Sequence, residues 1–304
     1  MDKVDEVVRA VGLGLPRIKF SLNEEMKNYT SFKIGGSVRA MFFPGSADEL
    51  ASLCLLLADN DVEPLVMGNG TNLLVNDSAL ELIVINTSEM KSVELRDETE
   101  IIADAGINLS KLAVFAMEHG LSGLEFAHGI PGSLGGAVFM NAGAYGGEMK
   151  DVVWSTAAFD TDKGIKTISG DEHDFSYRHS RFSEKGETVL SAVLRLQKGD
   201  SGSIREKMND LSVRRRESQP LDMPSAGSVF KRPAEGFAGL MVEQAGLKGY
   251  TVGGAQVSEK HAGFIVNKGG ATYLDVMKVI EHVKKVIFKE FNIELELEIK
   301  IIKT

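Results

Sequence analysis

Seven glycines fall within twenty residues in the stretch GIPGSLGGAVFMNAGAYGGE, residues 129–148. The whole chain has only 32 glycines among its 304 residues. Glycine lacks a Cβ atom and is used where another group closely approaches the backbone or where the backbone turns left-handed. The stretch therefore predicts either a loop that approaches a cofactor or a series of tight turns, and composition alone leaves these two interpretations equal.

A second glycine loop, Gly68–Asn72, directly follows the short apolar run PLVMG. Successive main-chain N–H groups in such a loop form a concavity that suits a phosphate, and a tight turn between strands is the equal alternative. Neither loop matches the G-x-G-x-x-G fingerprint, and the Walker lysine pattern is absent, which disfavours a Rossmann site. Pro131 and Ser133 indicate a helix start within the first stretch. Two such loops would suit one pyrophosphate that is bound from both sides.

Composition excludes several classes of function. The chain is 43% hydrophobic and 25% charged, which is typical of a folded globular protein, and its length predicts two domains. A net charge of −9 disfavours nucleic acid as a partner. Cys54 lies in an apolar run and is interpreted as a buried hydrophobic residue, and the six histidines lack metal-ligand spacing, so no metal is expected. With no signal peptide or apolar run of membrane-spanning length, we expect a cytoplasmic protein without membrane association.

The pattern of short strands and capped helices predicts an α+β fold rather than a regular βαβ alternation. Helix starts are indicated by Ser46 with Glu49 and by Ser110, whose helix is stopped by Gly120. The predicted strands of the first part of the chain are 38–43, 64–68, 81–86, 92–97, 100–105, 152–160 and 187–196.

The sequence changes character after Gln197, where KGDSGS (198–203) is interpreted as a linker. We therefore expect a first domain over residues 1–200, with a core at 31–197 after an N-terminal helical segment, and a second domain over 201–304. The second domain is predicted to contain helices at 204–217 and 272–291 and a final strand, NIELELEIKII, with one buried face.

Four motifs have two interpretations each. Arg178 in FSYRHSRF could hold an anion or form a surface ion pair. Ser228 in PSAGSVFKRP could donate a proton or lie in a turn. Arg214–Arg216 could end a helix or meet a phosphorylated ligand. Glu294, Glu296 and Glu298 could form the solvated face of the final strand, which we expect for at least two of them, or include a catalytic residue, which periodicity cannot select.

In their order along the chain, six motifs are similar to those of the UDP-N-acetylenolpyruvoylglucosamine reductase family, from about residue 28 to the C-terminus. They are NYTSFKIGG (28–36), MGNGTNLLVND (67–77), GLSGLEFAHGIPGSLGGAVFMNAGAYGGE (120–148), YRHSRF (177–182), PSAGSVFKRP (224–233) and LELEIKII (295–302). The resemblance implies an FAD-binding domain of the vanillyl-alcohol-oxidase type followed by a smaller α+β substrate-binding domain.

The resemblance also implies the reaction, which is NADPH-dependent reduction of UDP-N-acetylglucosamine enolpyruvate to UDP-N-acetylmuramate in peptidoglycan precursor synthesis. FAD is expected to be bound non-covalently, and a monomer is the expected state. The implied catalytic residues are Arg178, Ser228 and Glu298, and the implied substrate-binding residues are Tyr177, Gln219 and Lys231. The implied FAD-binding residues are Gly68, Asn69, Gly70, Thr71, Asn72, Ile130, Pro131, Gly132, Ser133, Gly135, Gly136, Asn141, Ala142 and Gly143.

Two departures from the family pattern stand out. Residues 231–233 are K-R-P where K-N-P is usual, and the segment after Arg178 lacks the extra tyrosine loop of longer members, so the chain resembles the shorter subtype. One alternative is an FAD-dependent oxidase or dehydrogenase on the same fold, which would lack the Y-R, A-G-S and terminal glutamate set. The other alternative is a nucleotide-binding protein without enzymatic activity, for which no flavin reduction is expected.

Overall fold

The computed structural model describes residues 3–303, which form two compact units. The first unit comprises the residues up to Leu22, Arg39–Asn69 and Leu82–Val213. The second comprises Asn23–Val38, Gly70–Glu81 and the residues from Arg214 onward. Among residues 3–303, no helix combines the length and the apolar character that crossing a membrane requires.

Helices and short strands alternate irregularly along the chain. The helices are α1 Lys3–Gly14, α2 Ala47–Ala58, α3 Leu109–Glu118, α4 Leu134–Phe139, α5 Phe182–Lys185, α6 Ser201–Ser218, α7 Ala238–Gln244 and α8 Tyr273–Phe291. The first nine strands are β1 Lys19–Glu25, β2 Ser37–Phe43, β3 Leu65–Met67, β4 Leu73–Val75, β5 Leu80–Asn86, β6 Val93–Asp97, β7 Glu100–Asp104, β8 Leu121–Ser122 and β9 Gly143–Ala144. The others are β10 Gly147–Glu148, β11 Val153–Asp160, β12 Gly164–Ser169, β13 Thr188–Arg195, β14 Gln197–Lys198, β15 Thr251–Val252, β16 Ala255–Val257, β17 Ile265–Asn267 and β18 Lys300–Ile302.

The first unit contains a five-stranded antiparallel sheet in the order β12-β11-β13-β7-β6. One hydrophobic cluster combines buried side chains of this sheet with those of α3 and α4. A four-stranded sheet in the order β1-β2-β5-β3 contributes to a second cluster with α1 and α2. Because Leu134 and Val138 of α4 are fully buried in the first cluster, the glycine-rich segment before this helix is anchored to the core.

The second unit has one hydrophobic cluster, built around α8 and the small antiparallel sheet β15-β16-β17. Thr272 and Asp275 form the predicted capping box of α8, and the predicted apolar stripe is buried at Val276, Val279, Ile280, Val283 and Ile287. Strand β18 pairs in parallel with β4, and buried Leu295 and Ile299 join the same cluster. The cluster therefore supports the last residues of the chain.

All seven strands predicted for the first part of the chain are confirmed, but three local predictions differ from the structure. Helix α3 is capped by the Asn108 side chain, which accepts from the Ser110 N–H, so it begins one residue before Ser110. The second half of the predicted linker, residues 201–203, is the start of α6, because the Asp200 carboxylate accepts from the Ser203 N–H and caps the helix. Among the described residues, the compact units divide within α6, after Val213.

The predicted final strand is mostly irregular, and only Lys300–Ile302 forms a strand. Before it, Leu297 makes a single antiparallel bridge to Phe230. The Lys231 N–H donates to the Glu296 carbonyl at 2.9 Å, but Pro233, two residues later, has no N–H to continue the ladder. The pairing therefore stops after one bridge.

Candidate active site

The sequence-predicted site residues fall into two groups, one in each unit. The first unit holds Gly68 and Asn69, the stretch 129–148, Tyr177 and Arg178. The second unit holds Gly70–Asn72, Gln219, Ser228, Lys231 and Glu298.

In the first unit, the two glycine loops lie against each other. A Cβ atom added at Gly68 would lie 1.9 Å from the Ser133 Oγ, so no larger residue fits at that position. The Asn69 Nδ2 donates to the Pro131 carbonyl at 3.1 Å. The fold thus brings together the two loops that the sequence interpretation assigned to one pyrophosphate.

Several main-chain donors of these loops remain available. The Leu134 and Gly135 N–H groups donate to the carbonyls of Ile107 and Ala105. By contrast, the N–H groups of Asn69, Ser133 and Gly136 meet no hydrogen-bond acceptor within residues 3–303. Gly136 is exposed, and a Cβ there would contact only the Ser133 Oγ at 3.5 Å. Unbonded N–H groups beside open space are suited to an anion.

The other glycines of the stretch mostly pack against protein atoms. An added Cβ would lie 2.8 Å from the Ala105 Cβ at Gly135, 2.6 Å from the Glu148 Cγ at Gly143 and 2.6 Å from the Phe126 Cδ1 at Gly147. These three positions require glycine whether or not a cofactor is present. The stretch therefore combines tight internal packing with open positions at Gly136, beside the Ser133 Oγ, and at Gly146, where φ is 87°.

His128 is a residue of this region that the sequence analysis did not select. Its Nδ1 is buried and has no hydrogen-bond partner among the described residues. It lies two residues before Ile130, and its carbonyl accepts from the Ser110 Oγ. A buried polar atom without a partner carries a free-energy cost unless a ligand or water supplies one. The sequence motifs did not point to His128 because a lone histidine has no spacing that is diagnostic of a binding site.

Arg178 lies in a tight turn, residues 176–179, which we call the Arg178 turn. Ser176 and His179 exchange two main-chain hydrogen bonds of 3.2 Å, and the Arg178 backbone is left-handed, with φ of 54°. The Arg178 Nη2 donates to the Gly143 carbonyl at 3.3 Å, and the guanidinium lies 5.0 Å from the centre of the Tyr177 ring. A left-handed backbone is costly for a residue other than glycine and is often retained at functional sites.

The neighbouring arginine, Arg181, has a structural role. Its Nε and Nη2 donate to the Glu187 carboxylate at 2.9 and 2.8 Å, and Glu187 is buried. Burial alone would raise the pKa of Glu187, but the hydrogen bonds from Arg181 and Lys166 lower it overall. This ion pair fixes the chain just after the Arg178 turn.

In the second unit, main-chain pairing holds Ser228 and Glu298 on adjacent segments. The Val229 N–H donates to the Gly263 carbonyl at 2.9 Å, and the Glu298 N–H donates to the Val229 carbonyl at 2.8 Å. Ser228 itself forms a bridge with Phe264. Because hydrogen bonds to two separate segments fix Val229, the adjacent Ser228 has a defined position.

The structure distinguishes the three glutamates that periodicity could not separate. Glu294 and Glu296 are exposed, as predicted for at least two of them, whereas Glu298 is half-buried. The Asn72 Nδ2 donates to the Glu298 carbonyl at 3.0 Å. Glu296 is 75% exposed at its side chain and pairs with Lys231 at 3.2 Å. Glu298 is therefore the glutamate held beside Asn72, at the end of the Gly68–Asn72 loop.

The remaining candidates lie near the end of α6. Arg215 and Arg216 occupy its last turn, so the helix C-terminus interpretation is confirmed for them. The Gln219 Oε1 is buried and accepts no hydrogen bond from any residue the structure describes. Cys54 is buried as predicted, and burial raises the pKa of its thiol to about 11.

Comparisons with known proteins identify two parts of the chain. An FAD binding domain model matches residues 38–169, and a model of the UDP-N-acetylenolpyruvoylglucosamine reductase C-terminal domain matches residues 219–302. The protein of that name from Caldanaerobacter subterraneus subsp. tengcongensis is 48% identical over 302 residues, covering 99% of this chain and 97% of the relative. The chain belongs to the UDP-N-acetylenolpyruvoylglucosamine reductase family.

Further similarities support this membership. The UDP-N-acetylenolpyruvoylglucosamine reductase of Syntrophomonas wolfei subsp. wolfei is 46% identical over 289 residues, covering 95% of this chain and 96% of the relative. The crystal structure of the reductase from Thermus caldophilus matches with a TM-score of 0.79 and 33% identity, covering 94% of this chain and 99% of that one.

Membership in the UDP-N-acetylenolpyruvoylglucosamine reductase family confirms several predictions made from sequence. The fold is α+β with an FAD-binding domain, and the chain is an oxidoreductase of peptidoglycan synthesis that uses FAD. The roles of individual site residues remain predictions.

The left-handed backbone of Arg178 generates a stability prediction. Glycine tolerates a φ of 54° and alanine does not, so Arg178→Gly should be more stable than Arg178→Ala by about 1 kcal/mol. Urea unfolding of both variants measures this difference. The same pair of substitutions at Tyr177, whose φ is not positive, is the control, and there alanine should be at least as stable as glycine. Equal or greater stability of Arg178→Ala would mean that the backbone is unstrained.

Proposed function

We propose that the chain catalyses the NADPH-dependent reduction of UDP-N-acetylglucosamine enolpyruvate to UDP-N-acetylmuramate, with non-covalently bound FAD. The observation that carries this proposal is the main-chain hydrogen bond between Glu298 and Val229, which keeps Glu298 beside Ser228. Both residues belong to the motif set that distinguishes this reductase from other flavoenzymes of the same fold. The relatives that share the set over nearly their whole length carry the name of this activity.

The residues of the two glycine loops fit an anionic cofactor. The unbonded N–H groups of Asn69, Ser133 and Gly136 and the unpartnered Nδ1 of His128 support a pyrophosphate site formed by residues 68–72 and 130–136. Ala142 and Gly143 are proposed to approach the flavin ring. When bound, FAD would supply the hydride-transfer chemistry between NADPH and C3 of the enolpyruvyl group. The protein supplies orientation and electrostatic stabilisation.

Arg178 is proposed to bind the carboxylate of the enolpyruvyl group. Negative charge develops on this carboxylate when C3 gains a hydride, and a guanidinium is always cationic at physiological pH. A fixed cation stabilises such charge without reorganisation during the reaction. The half-buried position of Arg178 and its hydrogen bond to Gly143 support this role.

Ser228 is proposed to donate a proton to C2, which completes the lactyl ether. A hydroxyl acts as a general acid only if it is correctly oriented toward the carbon that it protonates. The hydrogen bond from Val229 to Gly263 and the bridge from Ser228 to Phe264 support such an orientation. Glu298 is proposed to position the carboxylate end of the substrate.

The remaining site residues are proposed to bind the rest of the substrate. Tyr177 is 44% exposed and could contact it directly, and the unpartnered Oε1 of Gln219 is an available acceptor. Lys231 is proposed as a partner of the diphosphate. We further propose that residues 1–200 bind FAD, that residues 201–304 bind the substrate, and that the protein acts as a cytoplasmic monomer.

NADPH oxidation tests this function, with Ser228→Ala as the decisive variant. The wild-type protein should oxidise NADPH rapidly only when UDP-N-acetylglucosamine enolpyruvate is present. In Ser228→Ala, NADPH should still reduce the flavin, but turnover should fall by about 100- to 10,000-fold, the usual contribution of a general acid. Stopped-flow absorbance of the flavin separates the two steps.

Ser225→Ala in the same loop is the matched control and should keep the wild-type turnover. NADPH oxidation that is indifferent to the enolpyruvate would favour an oxidase, and absence of flavin reduction would exclude both enzymes. Wild-type turnover in Ser228→Ala would remove the proton-donor role.

The three glutamates provide a second test. Glu298→Gln keeps the size of the side chain but loses its charge, so turnover should fall by about 100-fold if the carboxylate orients the substrate. Glu294→Gln should leave turnover unchanged because Glu294 is exposed. Steady-state kinetics at saturating NADPH measure both variants. Equal turnover in the two variants would contradict the assignment of Glu298.

A further inference from the structure

Asn141 follows α4 directly and has no exposed surface, with 0% of the residue accessible. Its backbone is left-handed, with φ of 41°, a conformation that asparagine adopts more readily than most residues. The sequence interpretation assigned Asn141 to FAD. A residue with no accessible surface cannot contact a bound cofactor in this arrangement, so its side chain must have another role.

The Asn141 side chain is fully used within the protein. Its Nδ2 donates to the Glu148 Oε2 and to the Ser176 carbonyl, both at 2.9 Å. Its Oδ1 accepts from the Lys150 N–H at 2.9 Å. A primary amide has two N–H donors and one carbonyl oxygen, so all three groups are satisfied.

These hydrogen bonds connect two loops. Glu148 ends the hairpin of β9 and β10, which we call the glycine hairpin, and Lys150 follows it. Ser176 is the first residue of the Arg178 turn, and its carbonyl also accepts from the His179 N–H. Arg178 also connects the two loops, through its hydrogen bond to the Gly143 carbonyl at 3.3 Å. Asn141 therefore makes the shorter of these connections.

We propose that Asn141 is a positioning residue that holds the Arg178 turn against the glycine hairpin and thereby sets the place of the Arg178 guanidinium. The inference rests on the catalytic role proposed for Arg178. A strained left-handed residue persists only when its surroundings over-determine its conformation, and Asn141 supplies a fixed, buried contact at the base of the turn. A displacement of about 1 Å at a reacting group can lower turnover on the order of 100-fold.

The variant Asn141→Gly removes the amide without adding backbone strain, because glycine tolerates a φ of 41°. Asn292→Gly is the matched control, since Asn292 is also left-handed, with φ of 56°, and caps α8 in the second unit. Asn141→Asp is a second variant, which keeps the shape of the side chain but cannot donate to Glu148 or to Ser176.

Amide hydrogen exchange without added substrate tests the position of the turn independently of activity. The amides of Ser176 and His179 should exchange faster by about tenfold or more in both Asn141 variants, because opening of the turn becomes easier. Their exchange should be unchanged in Asn292→Gly. Unchanged exchange in the Asn141 variants would overturn the inference.

Measurements of FAD affinity and turnover then distinguish a positioning role of Asn141 from a direct contact between Asn141 and FAD. The Kd for FAD should stay within about twofold of the wild-type value, while kcat at saturating FAD should fall on the order of 100-fold. In an Arg178→Ala background, Asn141→Gly should cause no further loss, because the two residues act through one network. A raised Kd with unchanged kcat would instead assign Asn141 to FAD, and independent, additive losses would also contradict the inference.

A failure of the proposed function is distinguishable from a failure of this inference. If the wild-type protein did not reduce the enolpyruvate, the proposed reaction would be wrong. The exchange rates of Ser176 and His179 would still decide whether Asn141 fixes the turn.

Discussion

The close approach of Gly68 to Ser133 is the constraint on which the candidate cofactor site depends. It holds two loops that are distant in sequence against each other, and no side chain larger than hydrogen fits at Gly68. Helix α4 anchors one loop because Leu134 and Val138 are buried in the core. The N–H groups of Asn69, Ser133 and Gly136 are left available as a result. Packing energy therefore fixes a cluster of donors that could not form in a flexible loop.

In the second unit, main-chain hydrogen bonds fix the positions of the residues proposed for catalysis. A short segment around Val229 makes main-chain hydrogen bonds to Gly263 and to Glu298. Pro233 ends this pairing because it has no N–H, so the segment stays short. The buried side chains of α8 support the segment that carries Glu298 through the same hydrophobic cluster. In both units, residues proposed for chemistry lie on irregular backbone that is held by a rigid core.

Much of this architecture could be predicted from sequence, and the exceptions have physical causes. Apolar periodicity predicted the strands of the first unit and the buried stripe of α8, because both patterns reflect burial directly. The single bridge at Leu297 depends on where Pro233 lies in a distant segment, which periodicity does not record. Periodicity also does not show that Ala105 leaves no room for a side chain at position 135. Nor does it show that the hydrogen-bond partners of Asn141 lie in other loops. Motif order identified the family and implied Glu298, which periodicity could not separate from its neighbours, and the fold shows that Glu298 is half-buried where Glu294 and Glu296 are exposed.

The central claim is that the open donors around Gly136 hold the FAD pyrophosphate, and the FAD affinity of Gly136→Asp tests it most directly. Aspartate fits this exposed position in the first turn of a helix, where an acidic residue favours the helix. Its charge should repel a pyrophosphate and raise the Kd for FAD on the order of 10- to 100-fold. Gly12→Asp, at an exposed glycine of α1 with no atom within 4 Å of an added Cβ, should bind FAD as the wild type does. Equal FAD affinity of the two variants, measured by flavin fluorescence titration, would contradict the account.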